Sequence, residues 1–240
     1  MSRRKIISIV ICLCVLIFLI VSLFALDNSS NKYNLELDII QNKNVNNPID
    51  YKQIIDNLRA EYNNDDVVGI LEINNTNYIV PIMQSDDNEY YLNHTPDGKK
   101  NFMGSIYLDY RVDIDSSKKI LIYGHNSSRV DMPFKILEEF YDKDYYDNHK
   151  YIEIITSATK KKYEIFSVYV ETSDFTFMNI NFENDEEYLK HLQQLKDRSM
   201  YDTGVEVTSD DEVLILQTCS THSDYRNYKK KYLLIILRRV

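Results

Sequence analysis

Two residues in this chain are of a type and placement that could make and break a covalent bond. Cys219 closes the run Leu214-Ile215-Leu216-Gln217-Thr218-Cys219, and His125 follows Ile122-Tyr123-Gly124 and precedes Asn126. A thiol is a poor nucleophile until it loses its proton. A histidine brought beside it can favour the thiolate and later protonate a leaving amine. Both residues end apolar runs of strand character, where a scaffold can hold a side chain rigidly at a surface cleft. Read by themselves, the same residues also describe a packed cysteine and a turn histidine held by hydrogen bonds.

Attack on an amide creates an oxyanion that needs donors around it. Arg226, in the loop after Cys219, could fold its guanidinium back over the thiolate; the bland alternative is a solvated loop arginine. His222 is a competing base, but neighbours on one loop rarely reach the geometry that a second strand imposes, so His125 ranks above it. His94, His149 and His191 stand in polar stretches and read as surface residues. Asp109, Asp113 and Asp115 invite a calcium reading, yet lack the loop spacing and glycine of an EF-hand, so no metal is expected. The chain contains no Gly-x-Gly-x-x-Gly or Gly-x-x-x-x-Gly-Lys run, and no cofactor is expected.

The elements that must position these residues are mostly short strands. Val67–Ile73 and Tyr78–Met83, joined by Asn74-Asn75-Thr76-Asn77, form an expected hairpin. Ser105–Leu108, Lys119–Tyr123, Tyr151–Thr156, Lys162–Glu171, Val205–Val207, Val213–Thr218 and Tyr232–Leu237 read as further strands. Asp50 is a plausible N-cap with Gln53 at the capping-box position, ahead of Tyr51, Ile54, Ile55, Leu58 and Tyr62 at helical spacing. Two more helices are expected, near Asp131–Phe140 with Pro133 in its first turn, and near Asn184–Ser199, where Tyr188, Leu192 and Leu195 share a face. About eight strands with no βαβ rhythm point to a mainly β protein, a closed or nearly closed barrel.

The chain of 240 residues is 44% hydrophobic, enough for one core, and its 28 basic against 37 acidic residues give a net charge of −9. Such a balance argues against a nucleic-acid partner. Ser2-Arg3-Arg4-Lys5 precedes an apolar run, Ile6 to Leu26, that as a helix would span roughly 31 Å, about one bilayer core. It reads as a retained transmembrane anchor at residues 6–26. The positive-inside rule then puts residues 1–5 in the cytoplasm and the rest outside. Residues 27–49 read as a spacer and 50–240 as one extracellular domain. Cys12 and Cys14 fall inside the anchor, which leaves Cys219 the only exported thiol.

The order of anchor, N-terminal helix, Leu108-Asp109-Tyr110-Arg111, Tyr123-Gly124-His125-Asn126, Met132-Pro133-Phe134 and a strand ending Thr218-Cys219 resembles the class B sortases of Gram-positive bacteria. The likeness covers about residues 50–240, and a helix inserted between late strands near 184–199 favours this class. The resemblance implies an eight-stranded sortase barrel and a cysteine transpeptidase. Such an enzyme cleaves a C-terminal sorting motif of a secreted protein, with cleavage expected after Thr, through a thioacyl intermediate. It then passes the protein to an amine of the lipid-linked peptidoglycan precursor. It implies Cys219 as nucleophile, His125 as general acid/base, and an arginine that stabilises the oxyanion, with Thr218, Asn126 and Tyr123 at the substrate. The family's arginine begins the last strand, where this chain has Lys231 and Tyr232; Arg226 is the arginine at hand, and Gln217 stands where the family usually has a small residue. Rival expectations are a pilin-polymerising or hydrolytic sortase, and a non-catalytic surface β-barrel that binds a partner.

Overall fold

In the computed structural model the described residues are 49–240. The expected cytoplasmic tail, the anchor at 6–26 and the spacer up to residue 48 lie outside them. Among the described residues no helix is long and apolar enough to cross a membrane.

Helix α1, Tyr51–Tyr62, starts as its sequence demands: the Asp50 carboxylate accepts a hydrogen bond from the Gln53 amide at 2.9 Å. Its buried face, Ile54, Ile55 and Leu58, lies against the strand that follows. Eight strands come next: β1 Val67–Ile73, β2 Ile79–Met83, β3 Ile106–Leu108, β4 Lys119–Tyr123, β5 Tyr151–Ile155, β6 Lys160–Glu171, β7 Val213–Cys219 and β8 Tyr232–Arg239. They close into a barrel in the order β1-β2-β3-β4-β7-β8-β6-β5. The β1–β2 hairpin turns at Asn75, whose φ of 65° is a left-handed conformation that asparagine tolerates.

Most pairs are antiparallel, but β2 and β3 run parallel, as do β4 and β7, the latter in register from Lys119↔Val213 to Tyr123↔Gln217. Every residue of β4 is buried, as are Val213 to Leu216 of β7 and Leu233 to Leu237 of β8. These continuous apolar runs are covered on both faces, which explains why they lack the polar alternation of a half-exposed strand. Parallel neighbours end at the same edge, so the C-terminal ends of β4 and β7 deliver their following residues side by side.

The sequence-based boundaries need three corrections. Val205–Val207 lies in an irregular segment rather than a strand, although Val205 and Val207 are buried. The helix expected near Asp131–Phe140 is a 3₁₀ segment, Lys135–Tyr141, and it leads into a short helix α2, Lys143–Asn148, that the pattern does not suggest. Pro133 precedes the segment instead of occupying its first turn. Helix α3, Asp185–Asp197, matches expectation: Asn184 caps it by accepting from the Glu187 amide, and Tyr188, Leu192 and Leu195 are buried.

Candidate active site

At the open end of β7, Cys219 is exposed and forms no disulfide. Its antiparallel partner on β8 is Tyr232, and the next amide, Ser220 N–H, donates to the carbonyl of Lys231 at 2.9 Å. Surrounding protein pushes the thiol above its ordinary range by desolvation; Lys231 pulls the opposite way, since a nearby cation favours the thiolate.

His125 reaches the same edge from β4. Two bonds tie its segment to the cysteine's: the Thr218 hydroxyl donates to the Gly124 carbonyl at 2.8 Å, and the Asn126 side-chain amide donates to the Cys219 carbonyl at 2.9 Å. Gly124 is required for packing, because a Cβ there would come within 2.6 Å of the ring of Phe134, which is fully buried. The Phe134 amide in turn bonds the His125 carbonyl at 2.9 Å. The imidazole Nε2 lies 2.8 Å from the carbonyl oxygen of Leu92, in the 3₁₀ turn Tyr90–Leu92. A carbonyl only accepts, so Nε2 carries a proton, and Nδ1 is left as the ring atom free to exchange one with a substrate. Gly104 lets the chain pass that turn: its φ is 62°, and a Cβ would lie 2.7 Å from the Leu92 carbonyl oxygen.

The loop after the cysteine is fastened from behind. The Ser220 hydroxyl is 2.6 Å from that of Tyr141, and Glu138 accepts from both the amide and the hydroxyl of Thr221, at 2.6 and 2.5 Å. Arg226 ends the 3₁₀ turn Ser223–Tyr225, exposed, its amide bonded to the Ser223 carbonyl. His222 belongs to the same loop, stacked obliquely on Tyr141. The structure thus brings together Cys219, Thr218, His125 and Asn126, sets Lys231 beside them, and leaves the Arg226 side chain in solvent.

Tyr123 is buried, and its hydroxyl donates to Asp109 Oδ2 at 2.7 Å. Asp109 is itself buried and receives Arg111 in a two-pronged pair, Nε and Nη2 each at 2.8 Å. Burial alone would raise the Asp109 carboxyl; the bonds from Arg111 and Tyr123 outweigh it and hold the group below the usual carboxylate range. Asp109 is therefore an internal ion-pair partner. Asp113 caps its own turn through Ser116, and Asp115 accepts from Thr156.

Three features escape sequence reading. The Leu92 carbonyl that holds His125 is backbone, which any residue supplies. The Asp109–Arg111–Tyr123 cluster shows in sequence only as polar residues within an apolar context. His191, expected on the surface, is buried: Lys119 Nζ lies 2.8 Å from its Nε2 and 2.6 Å from the Asn179 carbonyl oxygen.

A family model described as the sortase domain matches residues 71–236. The chain is 37% identical over 163 residues to sortase B of Listeria monocytogenes, covering 68% of this chain and 66% of that one. It is 31% identical over 157 residues to sortase B of Staphylococcus aureus, covering 65% and 64%. The match thus spans just under two thirds of these relatives' length. The Staphylococcus aureus sortase B–substrate complex superposes with a TM-score of 0.74 at 25% identity, covering 89% of this chain and 94% of that one.

Proposed function

As the chain belongs to the sortase family, in its class B branch, we propose that it is a cysteine transpeptidase that attaches exported proteins to the cell wall. The observation that carries this reading is the parallel β4–β7 pairing, which sets His125 and Cys219 at one edge and ties their segments by the Thr218–Gly124 and Asn126–Cys219 bonds.

In the first half-reaction Cys219 Sγ, as thiolate, attacks the backbone carbonyl carbon of a Thr in the sorting motif. The C–S bond forms, the C–N bond to the following residue breaks, and the protonated His125 gives the departing amine its proton. A peptidoglycan-precursor amine then attacks the thioester. The new C–N bond forms, the C–S bond breaks to return the thiolate, and His125 takes the proton the amine loses. Thr218 and Tyr123 have their hydroxyls committed within the protein and position the cleft. Asn126 differs, because its buried side-chain oxygen has no partner among the described residues and can accept a backbone N–H of the substrate. Residues 6–26 anchor the domain outside the cell beside the lipid-linked acceptor, which raises its effective concentration.

The test is intact-protein mass spectrometry of the full chain in detergent micelles with peptides that carry Thr-containing motifs. A mass gain equal to the peptide's N-terminal fragment, absent in Cys219→Ala, supports the reading. Release by added amine but not by water identifies transpeptidation; release by water, or by a lysine side chain alone, identifies the hydrolytic or polymerising variant. Absence of any adduct from a folded chain whose thiol still alkylates leaves the non-catalytic barrel as the better account.

A further inference from the structure

The loop between β7 and β8, residues 220–231, carries Arg226, Lys229, Lys230 and Lys231 against a single carboxylate, Asp224. Elsewhere in the domain most cations meet a carboxylate, as Lys160 meets Glu153, Lys161 meets Glu212 and Arg238 meets Glu164. None of the four loop cations forms an ion pair among the described residues, and Asp224 is turned to His222, its Oδ2 3.7 Å from Nδ1. The loop is held from behind at its start, where Tyr141 and Glu138 fix Ser220 and Thr221. It therefore presents its charges from an anchored base.

Aromatic rings stand among these cations. Tyr228, between Arg226 and Lys229, is 51% exposed, its ring 6.4 Å from that of Tyr225. Arg226, Lys229 and Lys230 are exposed, and the Lys230 ammonium sits 5.0 Å over the ring of Phe175. The neighbouring loop at the same edge adds Arg129, also exposed and outside any ion pair among the described residues, beside the exposed Asp131. The chain as a whole is acidic, with a net charge of −9. Salt at physiological strength limits an exposed charge to about 8 Å, however, so the potential just outside this loop is set by its own cations.

We propose that the β7–β8 loop docks on an anionic lipid surface, with Arg226, Lys229 and Lys230 at the headgroup phosphates and Tyr228 at the level of the interface. The charges are complementary, and a tyrosine flanked by Arg and Lys suits a boundary that is wet on one side and apolar on the other. The inference rests on the anchored transpeptidase reading for its purpose: docking turns the edge that bears Cys219 toward the leaflet holding the lipid-linked acceptor.

The test reads the loop without requiring turnover. The full chain is reconstituted with vesicles of phosphatidylcholine, alone or mixed with phosphatidylglycerol. Lysine amines are acetylated with a neutral N-hydroxysuccinimide ester, and labelling is read by peptide mass spectrometry. A cation at such a surface gains about fivefold in local association, so labelling of Lys229 and Lys230 slows about fivefold or more in the anionic vesicles. Lys100 and Lys190, exposed elsewhere, keep their rates, and about 1 M salt, which shortens screening to about 3 Å, removes the protection. Equal labelling in both vesicle types overturns the proposal, as does protection that salt leaves in place. Equal protection by inorganic pyrophosphate in neutral vesicles also overturns it, since the loop then takes a phosphate group and not a surface. Flotation of the same samples separates this proposal from the anchor. A chain that floats with both vesicle types yet labels equally refutes the docking alone. One that floats only with anionic vesicles refutes the anchor and supports the docking, and one that floats with neither refutes both. Thioacyl formation on the same sample decides the transpeptidase reading independently.

Discussion

At the first residue of β4, Lys119 is buried with its amine between the Asn179 carbonyl and His191, under α3. At the other end of the same strand and its partner β7, His125 is half-buried and Cys219 exposed. Each end joins a histidine to a second functional group, yet their environments drive opposite outcomes. Desolvation pushes His191 down to about 3 and Lys119 down to about 7, so the inner pair is neutral over much of the physiological range. The outer pair keeps contact with water. The difference teaches that a histidine beside a nucleophilic group becomes chemistry only where the strand ends open, and is otherwise packing that happens to be polar.

The sharpest way to break this contrast is to exchange effects between the two ends. His125→Gln keeps a donor for the Leu92 carbonyl but removes the titrating ring, so acyl transfer should fall by about 100-fold or more while thermal stability stays near that of wild type. A large drop in melting temperature, with turnover per folded molecule preserved, would move His125 into the structural class. Single-turnover acylation and a thermal melt on the same sample decide it.

Asp109 tests whether the open end depends on a buried ion pair. In Asp109→Ala both Arg111 and the Tyr123 hydroxyl lose their partner, and breaking one side of such a pair costs about 3 kcal/mol or more, read by urea unfolding. An Asp109→Ala variant as stable as wild type would show that Arg111, which is partly exposed, simply turns to water.

At the inner end the prediction concerns pH. The unfolded chain holds the Lys119 proton up to its ordinary 10.5, whereas the folded chain releases it near 7. Between those values unfolding takes up a proton, so stability rises with pH; below about 7 the full cost is present. Above pH 10 the buried tyrosines, whose hydroxyls ionise later folded than unfolded, reverse the trend. Lys119→Met should flatten the rise between neutral pH and 10 and add on the order of 2 kcal/mol of stability near neutrality. An unchanged slope in urea melts across that range would mean that the amine stays charged, with water reaching it.

These contrasts also show what a sequence discloses. The strand ends were legible because the apolar runs at residues 120–123 and 213–216 stop shortly before His125 and Cys219, and the cap at Asp50 marked a helix start through a short side chain that accepts an amide bond. The burial of His191 left a trace that polarity masked: it lies three residues after Tyr188 and four before Leu195, on the inward stripe of α3. Lys119 left none, since a lysine at a strand start normally faces water. Nor did the Leu92 carbonyl, whose contact with His125 depends on how segments distant in sequence come together. The 3₁₀ segment Lys135–Tyr141 was misread because a 3₁₀ turn and an α-helix share nearly the same apolar spacing over so short a run.

Thr218 gives the smallest effect and the finest distinction between the ends. Its side chain is buried, and its hydroxyl bonds the carbonyl of Gly124, the residue before the histidine. Thr218→Val keeps the shape and deletes the donor, so the Gly124 carbonyl loses a partner at a cost of about 1 kcal/mol, a few degrees in the melt. If that bond only stabilises the barrel, acylation per folded molecule is unchanged. Because it joins β7 to the segment that carries His125, the expected result is a further loss of about threefold to tenfold in acylation rate, with Thr218→Ser recovering most of it. Equal stability loss without the rate loss would show that the two segments hold their alignment through the β4–β7 ladder and the Asn126 bond alone.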